Sequence, residues 1–412
     1  MAATAWTGPE VAVTGLGVVS AAGIGVATSW ERVCAGLPTA ATDPELAGLP
    51  VDFSCRIPDF EPQDHLDPRS LWRMDRTTQL ALVAANEAIA DAGLDPAVWD
   101  GARVGIVLGT SNGGGGTLER EHTRLVHEGP EWISPLVWVM APVNMLAGSL
   151  AIELGAHGPN LVTATACASG PTAIATAAQF LRADMCDVVI AGGAEAPITP
   201  MAFAGLYQMG ALSQRTTAPA QACRPFDSDR DGMVAAEGAG ILVLERSADA
   251  RARGARIRAR IAGYGASADG YHLSAPDPTG THAEAATRIA LATAGVSPGD
   301  VDHVNAHGSS TPLNDITEGQ MLRRVYGDRP AVTSTKGVTG HALGAAGAME
   351  AAFTVLSLEN GLIPPTANLE CQDPEIDVDV VAGDARKAHV DVAVTNSFGF
   401  GGQNAVLVIS AA

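Results

Sequence analysis

The sequence predicts an α/β fold made of two similar halves, and three observations carry that expectation. Short apolar, β-branched runs such as Val104–Leu108 and Val188–Ile190 alternate with stretches of helical spacing. At 412 residues the chain exceeds one ordinary core, so two fused core units are expected. The stretch from Val301 to Pro312 echoes Val104 to Gly113, each an apolar strand followed by small and hydroxylated residues. Strands alternating with helices in this way imply parallel sheets covered on both faces.

The elements follow in chain order. Val11–Gly17 reads as a strand entering a Gly-rich turn, and Thr28–Cys34 as the next helix. The third glycine of a dinucleotide fingerprint is not in place, so the turn is a packing feature. Val51–Asp67 is irregular and Pro-rich. Asp75–Ala92 is an amphipathic helix with Leu80, Val83, Ala84 and Ile89 on its apolar face, ended by Gly93. Val104–Ser111 is a buried strand closing in the glycines 113–116, and no Gly-Lys-Ser/Thr follows to make a phosphate loop. Trp132–Leu154 carries Trp138, Met140, Met145 and Leu146; core packing is favoured there over a lipid-like pocket or a subunit contact. Leu161–Thr165 is a strand, and Ile174, Ala178 and Leu181 give helical spacing after Pro171. Val188–Glu195 is a strand and turn, and Gln214–Arg230 a polar loop. Ile241–Glu245 and Ile257–Tyr264 are strands, with the polar, Ala-rich Ala248–Ala255 between them. Ala283–Ala294 is a helix, and Val301–Pro312 a strand with its loop. Ala331–Lys336, a helix over Gly337–Leu358, and the strand Val392–Ser397 complete the chain.

Composition excludes several classes. The content of 47% hydrophobic and 17% charged residues fits a well-buried globular protein. Six cysteines, at 34, 55, 167, 186, 223 and 371, show no Cys-x-x-Cys pair, which argues against zinc and a disulfide scaffold. Met1–Thr7 lacks the basic and long apolar regions of an export signal. No charge-free apolar run is long enough to span a bilayer, so a cytoplasmic protein is expected. The net charge of −20 disfavours nucleic acid as a partner.

Candidate chemistry centres on Cys167. It sits on a tight strand-to-helix turn, where the helix dipole and free N–H groups would stabilise a thiolate and lower its pKa. The same N–H groups suit an acyl oxyanion. A buried structural cysteine is the alternative reading of this turn taken alone. His307 in Ala306-His307-Gly308 and His341 in Gly340-His341-Ala342 lie at strand–loop junctions, and together with a poised cysteine they favour catalysis. Lys336 and Glu350 flank His341 as a pair able to hold the loop; the alternative is a surface ion pair of little worth. Phe398-Gly399-Phe400-Gly401-Gly402 reads either as a capped turn or as a gate offering a backbone N–H.

Four segments in this order resemble one family. They are Thr165-Ala166-Cys167-Ala168-Ser169-Gly170, Asn305-Ala306-His307-Gly308-Ser309-Ser310-Thr311-Pro312, Lys336-Gly337-Val338-Thr339-Gly340-His341 and Asn396-Ser397-Phe398-Gly399-Phe400-Gly401-Gly402. The chain is similar, from Val11 to Ser410, to the elongating β-ketoacyl-[acyl carrier protein] synthases of the Cys-His-His type. The resemblance implies the thiolase fold: two pseudo-repeated halves, residues 1–255 with the nucleophile and 256–412 with both histidines, forming a five-layer αβαβα core. It implies that Cys167 takes an acyl chain from a carrier-protein thioester. It implies that His307 and His341 stabilise the enolate left when malonyl carrier loses CO2. The N–H groups of Cys167 and Phe400 would form the oxyanion hole, with Phe398 in the gate, and Lys336 and Glu350 would support the site. Ser309 and Thr311 would touch the phosphopantetheine arm. No metal or resident cofactor is implied.

Relatives differ at single positions. A thiolase carries a second cysteine where this chain has Phe398-Gly399-Phe400; chain-initiating synthases carry asparagine in place of His341; a chain-length factor lacks Cys167. An active elongating enzyme is therefore expected, working on polyketide or polyene chains beside a chain-length-factor homologue. A primary fatty-acid enzyme acting as a homodimer is the alternative, and a non-catalytic length-setting subunit the third reading. Gly210 stands where relatives commonly carry a carrier-contacting arginine before Ala211-Leu212-Ser213, which favours the specialised pathway. Carrier proteins are acidic, so docking on a chain of this charge needs a local basic patch within a Debye length, ~8 Å. Arg69, Arg73 and Arg76 are the candidates, Arg69 and Arg73 being four apart on one expected helical face with Trp72 at the centre.

Overall fold

The computed structural model describes residue 6 and residues 8–412, so the export-signal reading of Met1–Thr7 lies outside the described residues except at Trp6. Ten strands make the framework: β1 (Val11–Ser20), β2 (Val104–Gly109), β3 (Asn160–Thr163), β4 (Val188–Glu195), β5 (Gly238–Arg246), β6 (Ala259–Ala268), β7 (His303–Asn305), β8 (Ala331–Thr333), β9 (Val392–Gly399) and β10 (Gln403–Ala411). The main helices are α1 (Arg76–Asp91), α2 (Gly115–His127), α3 (Met145–Leu154), α4 (Ser169–Arg182), α5 (Thr281–Ala294), α6 (Pro312–Tyr326) and α7 (Ala346–Asn360).

The strand order is β3-β2-β4-β5-β1 in the first half and β8-β7-β9-β10-β6 in the second. The two orders are the same permutation. Directions repeat as well: β2 lies parallel to β3 and β4, and β7 parallel to β8 and β9. The remaining pairs are antiparallel in both halves, so each sheet is mixed rather than purely parallel. The halves join where Ala12 and Val13 pair with Arg260 and Ala259.

Packing gives five layers. Helices α1 and α3 share an apolar cluster with the outer face of the first sheet, and α5 and α6 do so with the second. Helices α4 and α7 pack in a third cluster with residues of both sheets. They touch where a Cβ on Gly170 would stand 2.8 Å from the Ala348 Cβ. Every residue of α7 from Ala346 to Leu358 is buried, as a helix between two sheets requires.

Several elements differ from the sequence reading. β1 runs straight through Gly15 and Gly17 with no turn. These glycines let α1 lie close: a Cβ on Gly17 would stand 1.8 Å from the Ala84 carbonyl oxygen. Gly263 and Gly265 of β6 face Ala290 and Ala286 of α5 in the same way. The helix expected over Gly337–Leu358 is broken: a short turn, Lys336–Thr339, ends at Gly340 with φ 68°, and α7 starts only at Ala346. The loop Gln214–Arg230 buries Arg224, Asp227 and Arg230 in ion pairs. Core packing of Trp132–Leu154 fails at its first half: Trp132 is 61% and Trp138 76% exposed, while Leu146, Ala147 and Leu150 reach the core.

Candidate active site

The repeated topology brings Cys167 and His341 face to face. Each follows the third strand of its half, β3 or β8, and precedes a central helix, α4 or α7. After β3 the chain makes one tight turn, Ala166–Ala168, before α4. Ala166 is left-handed at φ 49°, a strained conformation for a residue with a Cβ. Ser169 braces it: its hydroxyl accepts from Thr165 N at 2.9 Å and donates to Ala166 O at 2.6 Å. Gly399 is small for the same reason, since a Cβ there would lie 3.0 Å from Cys167 N. The loop after β9 can thus bring the Phe400 N–H close enough to lower the Cys167 thiol's pKa.

His307 hangs on the loop after β7. Its backbone N–H and that of Gly308 donate to the Glu318 carboxylate at 2.8 and 2.7 Å, and the Asn396 amide donates to it at 3.0 Å. Lys336, with no exposed surface, donates to His307 O at 2.6 Å and pairs with Glu350. His341 is tied by its own backbone, donating to Val234 O at 2.8 Å and accepting from Ala236 N at 3.0 Å. The imidazoles meet edge to face, centroids 5.2 Å apart, and Phe398 lies 5.9 Å from His307.

One ligand atom each from Cys167, His307 and His341 lies within 4.8 Å of the others. They share a cavity of about 360 Å³ with Ser309, Thr311, Phe398, Phe400 and Asn404. Ser309 and Thr311 hydroxyls lie 2.8 Å apart. Met209, Gly210 and Leu313 also line it, and Met209 and Leu313 are exposed. The turn Leu343–Ala345 that follows His341 is held to the end of β4, where Gly344 N donates to Glu195 at 3.1 Å.

The charge states differ from the sequence expectation at one point. Burial pushes the Cys167 thiol up to about 11, outweighing the Lys336 ammonium and the Phe400 N–H that pull it down. The lowered thiol pKa expected from the helix terminus is therefore not the resting state, because burial of the sulfur disfavours the thiolate. Burial first, and then the Lys336 charge, hold both imidazoles well below the ordinary 6.5. At neutral pH the site contains a thiol and two uncharged imidazoles. Such a set can donate to a developing oxyanion or enolate without a charged acid.

The three arginines do not form the expected stripe. The helix around Arg69 spans only Pro68–Leu71, so Arg73 lies beyond it and the two share no helical face. Arg69 is exposed and bonded to Asp67, and Arg73 is paired with Glu153. Arg76 is tied to the buried Glu237 at 2.7 Å and lies over the Phe60 ring. Glu318, which holds the His307 loop, was not singled out from the sequence; an acidic side chain inside a polar helix gives no periodicity signal.

Comparison with known proteins now bears on these features. The β-ketoacyl synthase N-terminal domain family matches residues 9–250 and the C-terminal domain family residues 258–370. The 3-oxoacyl-[acyl-carrier-protein] synthase 2 of Staphylococcus aureus (strain COL) is 42% identical over 404 residues, 97% of each chain. The enzyme of the same name from Synechocystis sp. is 42% identical over 409 residues, again 97% of each. Among solved structures, the ishigamide ketosynthase/chain length factor superposes with a TM-score of 0.93 at 35% identity, covering 98% of this chain and 100% of that one. A type II PKS acyl-carrier protein in complex with its ketosynthase, AntDE:AntF, gives 0.91 at 31% over 98% and 100%. Among the described residues no helix is long and apolar enough to cross a membrane.

Proposed function

The chain belongs to the β-ketoacyl synthase family, and on that premise we propose that Cys167, His307 and His341 elongate a carrier-bound acyl chain by decarboxylative Claisen condensation. The observation that carries this reading is the buried Cys-His-His group within 4.8 Å in a single cavity that Phe400 also lines. The Cys167 sulfur adds to the carbonyl of an acyl carrier thioester as its proton leaves. The Cys167 and Phe400 N–H groups hold the oxyanion. The carrier thiol departs with a proton, and the acyl group stays on Cys167.

A malonyl thioester then enters past Ser309 and Thr311. The two imidazoles donate to its thioester oxygen. The bond to the carboxyl group breaks, CO2 leaves, and the electron pair stays as an enolate. That carbon attacks the Cys167 thioester, the C–S bond breaks, and the sulfur regains a proton. The product is a β-ketoacyl carrier longer by two carbons. Lys336 with Glu350, and Glu318, fix the His307 loop from behind. The chain supplies this chemistry without a resident cofactor, since the substrates arrive on a phosphopantetheine arm.

The partner is an acyl carrier protein, encountered in the cytoplasm. Polyketide or polyene chains are the proposed substrates, supported by Gly210 at the cavity mouth and by the likeness to the ishigamide ketosynthase/chain length factor. A second reading, primary fatty-acid elongation, is favoured by the 42% identity to 3-oxoacyl-[acyl-carrier-protein] synthase 2. A second subunit would cover the edge strand β3, where Leu161 is exposed.

Incubation with an acyl carrier thioester, followed by intact-mass measurement, tests the catalytic reading. An adduct on the wild type and none on Cys167→Ala is expected; no adduct on the wild type would favour the length-setting subunit instead. Elongation of saturated acyl carriers by the purified chain alone would favour fatty-acid synthesis, and a requirement for a co-expressed chain-length-factor homologue the polyketide pathway.

A further inference from the structure

Glu195 is a fully buried carboxylate that the condensation steps above leave without a role. It ends β4, beside Gly238 of β5. Four donors converge on it, two on each oxygen. Thr110 Oγ1 and Asn112 N donate to Oε1 at 3.0 Å each, and Ser111 N and Gly344 N donate to Oε2 at 2.5 and 3.1 Å. All four donors are uncharged. A carboxylate that accepts four such bonds is matched as an anion, since each hydrogen bond to the charged form favours that form. Burial works in the other direction and pushes its pKa up.

Its donors come from both halves of the molecule. Thr110, Ser111 and Asn112 form the loop after β2, next to the nucleophile: Thr110 O lies 3.3 Å from Oγ of Ser169, two residues beyond Cys167. Gly344 lies three residues beyond His341, in the turn that leads to α7. The space is fully used, for a Cβ on Gly344 would stand 2.6 Å from Glu195 Oε2. The residue before it, Leu343, is left-handed at φ 42°, so this turn needs an outside hold. The charge of Glu195 also acts on the Cys167 thiol, raising its pKa.

We propose that Glu195 is a positioning residue that clamps the Cys167 side of the site to the His341 side across the boundary between the halves. The proposal rests on the ketosynthase reading of the two side chains it aligns. A side chain that ties the loop after β2, which packs against the thiol turn, and the turn after His341 to one anion helps fix the separation of thiol and imidazole, and small misplacements of reacting groups are costly. Glu195→Gln keeps the volume but turns an NH2 group toward two of the four donors. It also removes a negative charge that acts to raise the Cys167 thiol's pKa.

Three measurements on Glu195→Gln and Thr110→Val test this. The first is malonyl-carrier decarboxylation, with kcat and KM separated and rates normalised to titrated Cys167. The second is the pH profile of Cys167 alkylation by iodoacetamide. The third is thermal unfolding. For Glu195→Gln, kcat is expected to fall by up to about 100-fold with KM unchanged. Its alkylation profile is expected to move to lower pH. Thr110→Val removes one neutral donor and is expected to lower kcat about five-fold, with the alkylation profile in place. A Glu195→Gln enzyme with wild-type kcat and a superimposable alkylation profile would overturn the proposal. If that variant does not fold, Thr110→Val decides: unchanged kcat refutes the clamp. A wild type that releases no CO2 would refute the ketosynthase reading instead, and the alkylation profile would still report on Glu195.

Discussion

Lys336 is one of only two lysines in the chain and has no exposed surface. Its ammonium pairs with buried Glu350 and donates to His307 O at 2.6 Å. Replacing it by methionine leaves the Glu350 carboxylate buried without its cation. Breaking a buried pair from one side costs about 3–5 kcal/mol, because the remaining charge loses its partner in a dry site. Removing both charges, as in Lys336→Met with Glu350→Leu, avoids that cost, and such pairs are often replaced by apolar residues with little loss. The single variants and the double variant therefore form a cycle with a coupling energy of at least about 2 kcal/mol. Denaturant unfolding of all four proteins reads it. The double variant is expected to be more stable than Lys336→Met yet inactive, because the His307 loop has lost its brace. Without Lys336 the Cys167 thiol also loses the charge that opposes burial, so its alkylation at fixed pH should slow. Additive stability losses, with no recovery in the double variant, would refute the account of this pair.

Three further outcomes are expected. Burial holds His303 at about 4, its Nδ1 bonded to Ala331 O. The unfolded chain takes up a proton near 6.5 that the folded chain refuses, so stability is full above that pH and falls as pH drops from 6.5 toward 4, by up to about 3 kcal/mol for this residue; His303→Asn should lessen the slope of that limb, to which His307 and His341 also contribute, in unfolding measured against pH. Gly265→Ala would put a Cβ 2.0 Å from the Ala286 carbonyl oxygen, and Gly17→Ala should be equally disruptive at its Ala84 contact, each by at least about 1–3 kcal/mol; a loss in only one half would mean the repeated packing is not functionally equivalent. Arg69→Glu with Arg73→Glu should raise KM for carrier-bound substrate several-fold at low salt and leave self-acylation by a small pantetheine thioester unchanged; equal losses with both substrates would move the docking surface elsewhere.

Much of this fold could be read from sequence because its signals are local. The apolar runs of β2, β4 and β9 are visible as strands, and the echo between Val104–Gly113 and Val301–Pro312 falls on β2 and β7, which hold matching places in the two sheets. The site residues were legible because glycines and a proline punctuate their loops. What was hidden depends on contacts distant in sequence. Gly15 and Gly17 look like a turn until α1 is seen against them; Gly263 and Gly265, at the end of a run read as a strand, are explained only by α5. The break at Gly340 is masked by the Ala-rich run that follows, which has ordinary helical propensity. Trp138 reads as core because periodicity does not reveal which faces a single chain leaves uncovered. Glu195 and Glu318 gave no signal, since a buried acid is explained only by the donors that the fold brings to it.

The most direct measurement follows acyl transfer and CO2 release separately on one set of proteins: wild type, Cys167→Ala, His307→Ala and His341→Ala. Intact mass reads the acyl adduct, and labelled malonyl carrier reads the CO2. The account predicts that Cys167→Ala folds normally, carries no adduct and forms no elongated product, because a thiol has been removed at little cost in volume. It predicts that both histidine variants still take the acyl group on Cys167 but lose most CO2 release, because the enolate oxygen has lost a donor. Elongation by Cys167→Ala, or normal CO2 release by either histidine variant, would contradict the division of labour between thiol and imidazoles.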